Sequence, residues 1–235
     1  MSSTRNAEKY TNLWETPLWV VRRLLEEVYL PPGSWLEPTA GNGRIIQAMA
    51  EDRPDAYQFT AVEIRKECSV GLANLPNVVS LHGGVDFLTW NARDHRGEAP
   101  CSDGSYFTGS ILNPPFDISM DVVNKCLTVC DQVFVLQRLN WLGSGTNNGK
   151  NEFFREFMPD VYVVPDRVQF LLDGEFPRHP EGAVNAAGKS IAGHKMGGDS
   201  IEYCWYHWGE KAGRFRNAGK ISCLRETSLE ERQAG

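Results

Sequence analysis

The sequence predicts an α/β fold built on a mostly parallel sheet covered by helices on both faces. Two observations carry that reading. Short apolar runs alternate with amphipathic segments of helical period along most of the chain, and parallel strands need such crossovers. Two unusual loops, one after Glu37 and one after Leu112, each follow directly on an apolar run. In sheets of this kind, ligands bind beyond the carboxyl ends of the strands, where the strand order reverses.

Each element has its own local cause. Thr16-Pro17 opens a helix through Trp19, Val20, Leu24, Leu25 and Val28, with Thr16 as N-cap and Pro17 in the first helical position. Pro31-Pro32-Gly33 ends it. Ser34 to Glu37 reads as a short strand, and Arg44 to Ala50 as a helix burying Ile45, Ile46 and Met49. Tyr57–Ile64 and Val78–Leu81 are the next strands, with a helix over Lys66–Asn74 between them. Tyr106–Leu112 is a strand, Met120–Val129 a helix, Val133–Gln137 a strand and Glu152–Phe157 a helix. Val161–Val164, Val168–Leu172 and Ile201–Trp208 are late β segments. The whole reads as one domain over residues 1–225, followed by a flexible tail at 226–235. Asp173–Asp199 is too long and too glycine-rich for an ordinary connection, which predicts a functional or disordered loop.

Composition narrows the function classes. A chain of 235 residues buries a substantial core, and 41% hydrophobic with 23% charged residues is ordinary for a globular protein. No run of about 18 apolar residues argues for a membrane span. Met1–Lys9 is polar and lacks the apolar centre of a signal peptide, so a cytoplasmic location is expected. The six cysteines form no CxxC pair and the five histidines no close pair, so reduced thiols and no metal are expected. A net charge of −6 runs against phosphate binding. Two stretches partly offset it: Lys211, Arg214, Arg216, Lys220 and Arg225, and Arg178, Lys189 and Lys195. Nothing in the sequence sets an oligomeric state.

Asn113-Pro114-Pro115-Phe116 is the sharpest chemical signal. Two prolines lock two φ angles and remove two N–H donors, which leaves outward carbonyls in a stiff turn. An exocyclic amine is a poor nucleophile because its lone pair is delocalised into the ring. The Asn113 side-chain oxygen and the Pro114 carbonyl could accept both of its N–H bonds and favour the tetrahedral nitrogen that attacks an electrophilic methyl. Such acceptors act more strongly in the transition state than in the ground state. Phe116 would stack on the base and hold it in line.

The loop Glu37-Pro38-Thr39-Ala40-Gly41-Asn42-Gly43 is the second signal, since its glycines let backbone approach a ligand. Its spacing is not G-x-G-x-x-G, and no G-K-[ST] follows, which disfavours NAD and ATP. Glu63 ends the second strand about 20 residues later, where a carboxylate can accept ribose hydroxyls. Asp86-Phe87 follows the third strand and could bond an adenine amino group and cover its ring.

In this order, the pieces resemble the amino-methyltransferases, a family that uses S-adenosylmethionine. The order is like the gamma arrangement of DNA adenine-N6 methyltransferases. Leu136–Leu142 (LQRLNWL), Pro165–Phe170 (PDRVQF) and Asp199–Trp208 (DSIEYCWYHW) are similar to segments of small phage-type enzymes of that kind. The resemblance implies a Rossmann-like class I methyltransferase fold, with a seven-stranded sheet whose last strand is antiparallel. It implies S-adenosylmethionine as cofactor, held by Thr16, Glu37, Pro38, Ala40, Gly41, Gly43, Glu63, Ile64, Asp86, Phe87 and Asn113. It implies Asn113, Pro114, Pro115 and Phe116 as the residues at the target base, with no metal. DNA is the expected partner, RNA the alternative, and a membrane is not. Gly143–Lys150 and Asp173–Asp199 are expected to form mobile walls that order on nucleic acid. Rival readings are an RNA adenine-N6 methyltransferase, a cytosine-N4 or protein-glutamine methyltransferase, and a non-catalytic module that keeps the fold.

Overall fold

The computed structural model describes residues 13–92, 107–143, 150–172, 174–176, 178–185, 187–193, 201–209, 220–226 and 228–233. Its centre is an eight-stranded sheet made from β2 (Gly33–Glu37), β3 (Tyr57–Glu63), β4 (Val78–Gly83), β5 (Gly109–Leu112), β6 (Val133–Arg138), β7 (Asp160–Val164), β9 (Tyr203–Trp208) and β10 (Ile221–Cys223). The spatial order is β10-β7-β9-β6-β5-β2-β3-β4. All neighbours pair in parallel except β9, which runs antiparallel to both β6 and β7.

The expected count of seven strands is therefore one short. The antiparallel strand is present, but it is not the last: β10 follows it and adds to β7 at the sheet edge. Its three residues bury little, with Ile221 67% exposed, so no apolar run announced it. Val168–Leu172 is also corrected. Only Leu171–Leu172 (β8) is a strand, and it pairs with Trp14–Glu15 (β1) in a separate two-stranded ribbon.

The helices are α1 (Leu18–Glu27), α2 (Arg44–Asp52), α3 (Ser69–Ala73), α4 (Ser119–Cys126), α5 (Lys150–Glu156) and α6 (Leu229–Gln233). Strand residues alternate between the two faces. Trp35, Ile111, Phe134 and Trp205 face the layer of α1 and α2, while Leu36, Leu112, Val135 and Tyr206 face that of α4 and Trp141. Buried indole N–H groups find backbone acceptors: Trp35 on Pro31, Trp205 on Val20 and Trp208 on Phe157. Burial pushes the thiols of Cys126 and Cys204 up to about 12, so both behave as apolar filler.

Several boundaries move inwards. The helix expected over Lys66–Asn74 is a 3-10 turn, Lys66–Cys68, followed by α3. The strand expected from Tyr106 starts at Gly109; Tyr106 lies outside the described residues, and Phe107 makes a lone bridge with Cys130. The segment expected as a tail carries α6, where Glu231 meets Arg23 and Arg225. Lys211, Arg214, Arg216 and Lys195, residues 144–149, and parts of 173–199 lie outside the described residues. Among the described residues, no helix is long and apolar enough to cross a membrane.

Chain order fixes where ligands go. From β2 the chain moves outwards through β3 to β4, then returns to β5 on the other side of β2 and continues to β6. The reversal lies between β2 and β5, so the loops after Glu37 and Leu112 flank one crevice. Gly43 caps α2 with φ 78°, and a Cβ there would sit 2.5 Å from Leu75 Cδ1. Gly71, inside α3, has open space around the same position. Gly43→Ala should therefore lower stability by about 2–3 kcal/mol. Gly71→Ala should raise it by about 0.5–1 kcal/mol. Urea unfolding midpoints of the two variants check the pair.

Candidate active site

The crevice opens into a cavity of about 790 Å³, within the range of cofactor and substrate sites. Its wall includes Thr16, Glu37, Pro38, Ala40, Gly41, Glu63, Ile64, Asp86, Phe87 and Asn113 through Phe116. Of the residues expected at a site, Gly43 alone stays outside it. Its positive φ serves the turn into α2 and its missing side chain serves packing against Leu72 and Leu75.

The glycine loop is fixed from the neighbouring strand. Glu63, 3% exposed at the end of β3, accepts from the Gly41 N–H at 2.6 Å and from the Arg65 N–H at 2.9 Å. A charge-assisted bond of that length holds Gly41 at φ 53°, with Leu13 packed where a Cβ would stand. Glu63, expected as a ribose acceptor, is thus also the anchor of the loop.

Glu37 is buried beneath the start of α2, where the Ile46 N–H faces it. Burial, and then the neighbouring Glu63 charge, raise its carboxyl well above the usual carboxylate range. Its Oε2 and the Thr39 hydroxyl are buried without a partner, and both residues line the cavity. Buried polar atoms are normally satisfied, so these two mark acceptors waiting for a ligand donor.

Asp86 turns the chain after β4: its Oδ1 accepts from the Leu88 N–H at 2.9 Å. Lys125 of α4 holds this turn from below, donating to the carbonyls of Phe87, Leu88 and Trp90 and lying 4.9 Å from the Phe87 ring centre. Desolvation lowers the Lys125 pKa.

At the other end of the cavity, Asn113 Nδ2 donates to Thr16 Oγ1 at 3.1 Å. In this arrangement Oδ1 is left as an acceptor. The structure also corrects the N-cap. Pro17 occupies the cap position, extended at φ −60°, ψ 139°, and makes no side-chain cap bond because proline has no polar side-chain atom; Thr16 lies one residue earlier, with its hydroxyl against Asn113. The Pro114 carbonyl takes a weak 3.5 Å contact from the buried Gln137 amide, which leaves its second lone pair open. Phe116 is 44% exposed, with the Arg138 guanidinium 4.3 Å from its ring centre. The Tyr203 ring lies 6.5 Å away, and Phe170 packs edge-on to Tyr203 at 4.9 Å. The result is an aromatic recess beside two carbonyl acceptors.

Glu15, Arg138 and Trp14 also line this cavity, and no sequence motif assigned them a role there. Glu15 is buried and accepts from the Asn42 side chain, tying β1 to the glycine loop. The available signal was the string Trp14-Glu15-Thr16-Pro17 just ahead of an amphipathic helix. Five acidic residues (Glu15, Glu37, Glu63, Asp86, Asp117) and three arginines (Arg44, Arg65, Arg138) line the space, and with the Glu37 carboxyl held towards its neutral form their charges are close to balanced.

By sequence, the chain matches no family model and no curated protein. By structure, it is similar to the methyltransferase subunit of a type I restriction-modification system from Streptococcus thermophilus, with TM-score 0.60 and 10% identity over 95% of this chain. The fold is that of the Rossmann-like methyltransferases. A modification subunit of a putative type I restriction enzyme from Vibrio vulnificus YJ016 is similar at TM-score 0.51 and 12% identity over 97% of this chain. The chain spans about half of each subunit, 52% and 53% respectively. In the methyltransferase fold the crevice between β2 and β5 is where a ligand is expected on topological grounds.

The raised Glu37 pKa has a measurable consequence. The folded state prefers the neutral carboxyl, so its contribution is complete below the ordinary value near 4.5 and is lost as pH rises above it. Glu37→Gln should therefore gain stability relative to the native chain as pH increases from 4.5. Thermal melts from pH 4 to 8 check the sign.

Proposed function

We propose that the chain transfers a methyl group from S-adenosylmethionine to the exocyclic amino group of a nucleobase, adenine N6 in DNA. The observation that carries this reading is the Asn113 amide, whose Nδ2 meets Thr16 while Oδ1 is left as an acceptor in the cavity that Pro114 also lines. Two acceptors on one side of an aromatic recess match the two N–H bonds and the flat ring of such a target. The two subunits that share the fold are named as methyltransferase and modification components of restriction systems, which supports DNA as the polymer.

The residues present fit the cofactor. Gly41 and Ala40 provide a close backbone approach, Glu37 Oε2 and Thr39 Oγ1 provide unmet acceptors, and Ile64, Asp86 and Phe87 form the far wall. When bound, S-adenosylmethionine supplies a methyl group made electrophilic by a positively charged sulfur.

The protein's own contribution is positioning and polarisation. Asn113 Oδ1 and the Pro114 carbonyl accept the two N–H bonds and draw the nitrogen towards a tetrahedral shape, which localises its lone pair. These acceptors grow in strength as positive charge develops on nitrogen, so they stabilise the transition state selectively. Pro114 and Pro115 keep the acceptor from swinging away. Phe116, with Arg138 over one face of its ring, supplies an aromatic surface for the base and excludes water.

Transfer of tritiated methyl to unmethylated DNA and to RNA, followed by nucleoside mass spectrometry, tests the reading. N6-methyladenine in DNA is expected; label confined to RNA, or absent from both, contradicts it. Asn113→Ala should lower turnover by roughly 100-fold or more. Its affinity for S-adenosylmethionine, measured by calorimetry, should change far less.

A further inference from the structure

We propose that Trp14 is a stacking platform for a base next to the target, so that the site acts on unpaired stretches of nucleic acid. This rests on the amino-methylation reading above and names the form of its substrate.

Trp14 is 50% exposed and stands in the wall of the cavity, at its rim. Its segment is tied down at three points. Trp14 pairs with Leu172, Glu15 is buried and accepts from Asn42, and Thr16 accepts from Asn113. A half-exposed indole on so firmly tied a segment offers a preorganised flat surface, which loses little conformational freedom when it is covered.

Its direction follows from the backbone. The residue before a proline is biased to extended conformations, so the alternation of β1 carries through Thr16 to Pro17. Trp14 and Thr16 then project to the same side, about 6–7 Å apart along the strand. Thr16 faces Asn113. Trp14 and Thr16 thus line the same cavity as Asn113, while Phe116, 44% exposed in its wall, serves the target base itself.

A chain of net charge −6 gains little from phosphate neutralisation on a duplex or a single strand, so contacts to the bases carry more of the binding. Stacking on an aromatic ring is uncharged and accepts any base. Bases inside a duplex already stack on each other, so only an unpaired neighbour can turn onto Trp14. An unpaired target also avoids the cost of flipping out of a helix.

The test is steady-state methyl transfer by the full chain to a single-stranded, adenine-containing oligodeoxynucleotide and to its duplex. The proposal expects KM for the single strand to be about tenfold lower. Trp14→Ala should raise that KM about tenfold and move the duplex value less than twofold, and Trp14→Phe should recover most of the loss. Equal KM for the two forms in the native chain overturns the proposal without needing any variant, as does an equal effect of Trp14→Ala on both. Transfer to neither form would overturn the methylation reading and this proposal with it.

Discussion

The hydrogen bond from Asn113 Nδ2 to Thr16 Oγ1 joins residues 97 positions apart, and it decides what the cavity can do. A primary amide has a donor end and an acceptor end. Without a fixed partner, Asn113 could present either to a ligand. In the structure Thr16 meets the donor end, and the acceptor end is left for the cavity that Pro114 also lines. α1 begins without a side-chain cap because Pro17, at the cap position, has no polar side-chain atom, and the Thr16 hydroxyl one residue earlier meets Asn113 instead.

The other loops of the crevice follow the same plan, each fixed by a side chain from a different element. Glu63 of β3 holds Gly41, Glu15 of β1 holds Asn42, and Lys125 of α4 gathers three carbonyls of the turn after β4. Loops at a switch point have no strand partner to define them, so long-range side-chain bonds take that part. The sheet supplies the frame and these bonds supply the precision. Where the frame is bare, as at Glu37 Oε2 and Thr39 Oγ1, the unmet polar atoms lie in the wall of the cavity.

What was legible in the sequence was local. The run Asn113-Pro114-Pro115-Phe116, the glycine loop and Asp86-Phe87 each declare themselves within a few residues, and the structure brings them to one cavity. Of the central strands, β6 was readable from its apolar run Val133–Leu136, because both faces of the sheet are covered, while β2 and β3 were readable from apolar and aromatic residues interspersed with polar ones. What was not legible depended on distant partners. β10 exists because β7 offers an open edge, and β1 exists because β8 comes alongside it. Thr16 looked like a cap by a sound local rule, but the helix begins one residue later with Pro17 as its cap, and Thr16 meets a residue 97 positions away. Arg138 was visible only as one letter of LQRLNWL until Phe116 was found against it.

The most direct test of this account is a double-mutant cycle on methyl-transfer turnover with Thr16→Val, Asn113→Ala and the double variant, at saturating S-adenosylmethionine. If Thr16 acts by orienting Asn113, Thr16→Val loses activity in the native background and costs nothing further once Asn113 is Ala. Two losses that simply multiply in the double variant would mean that the residues act independently, and the orienting bond would cease to explain the site.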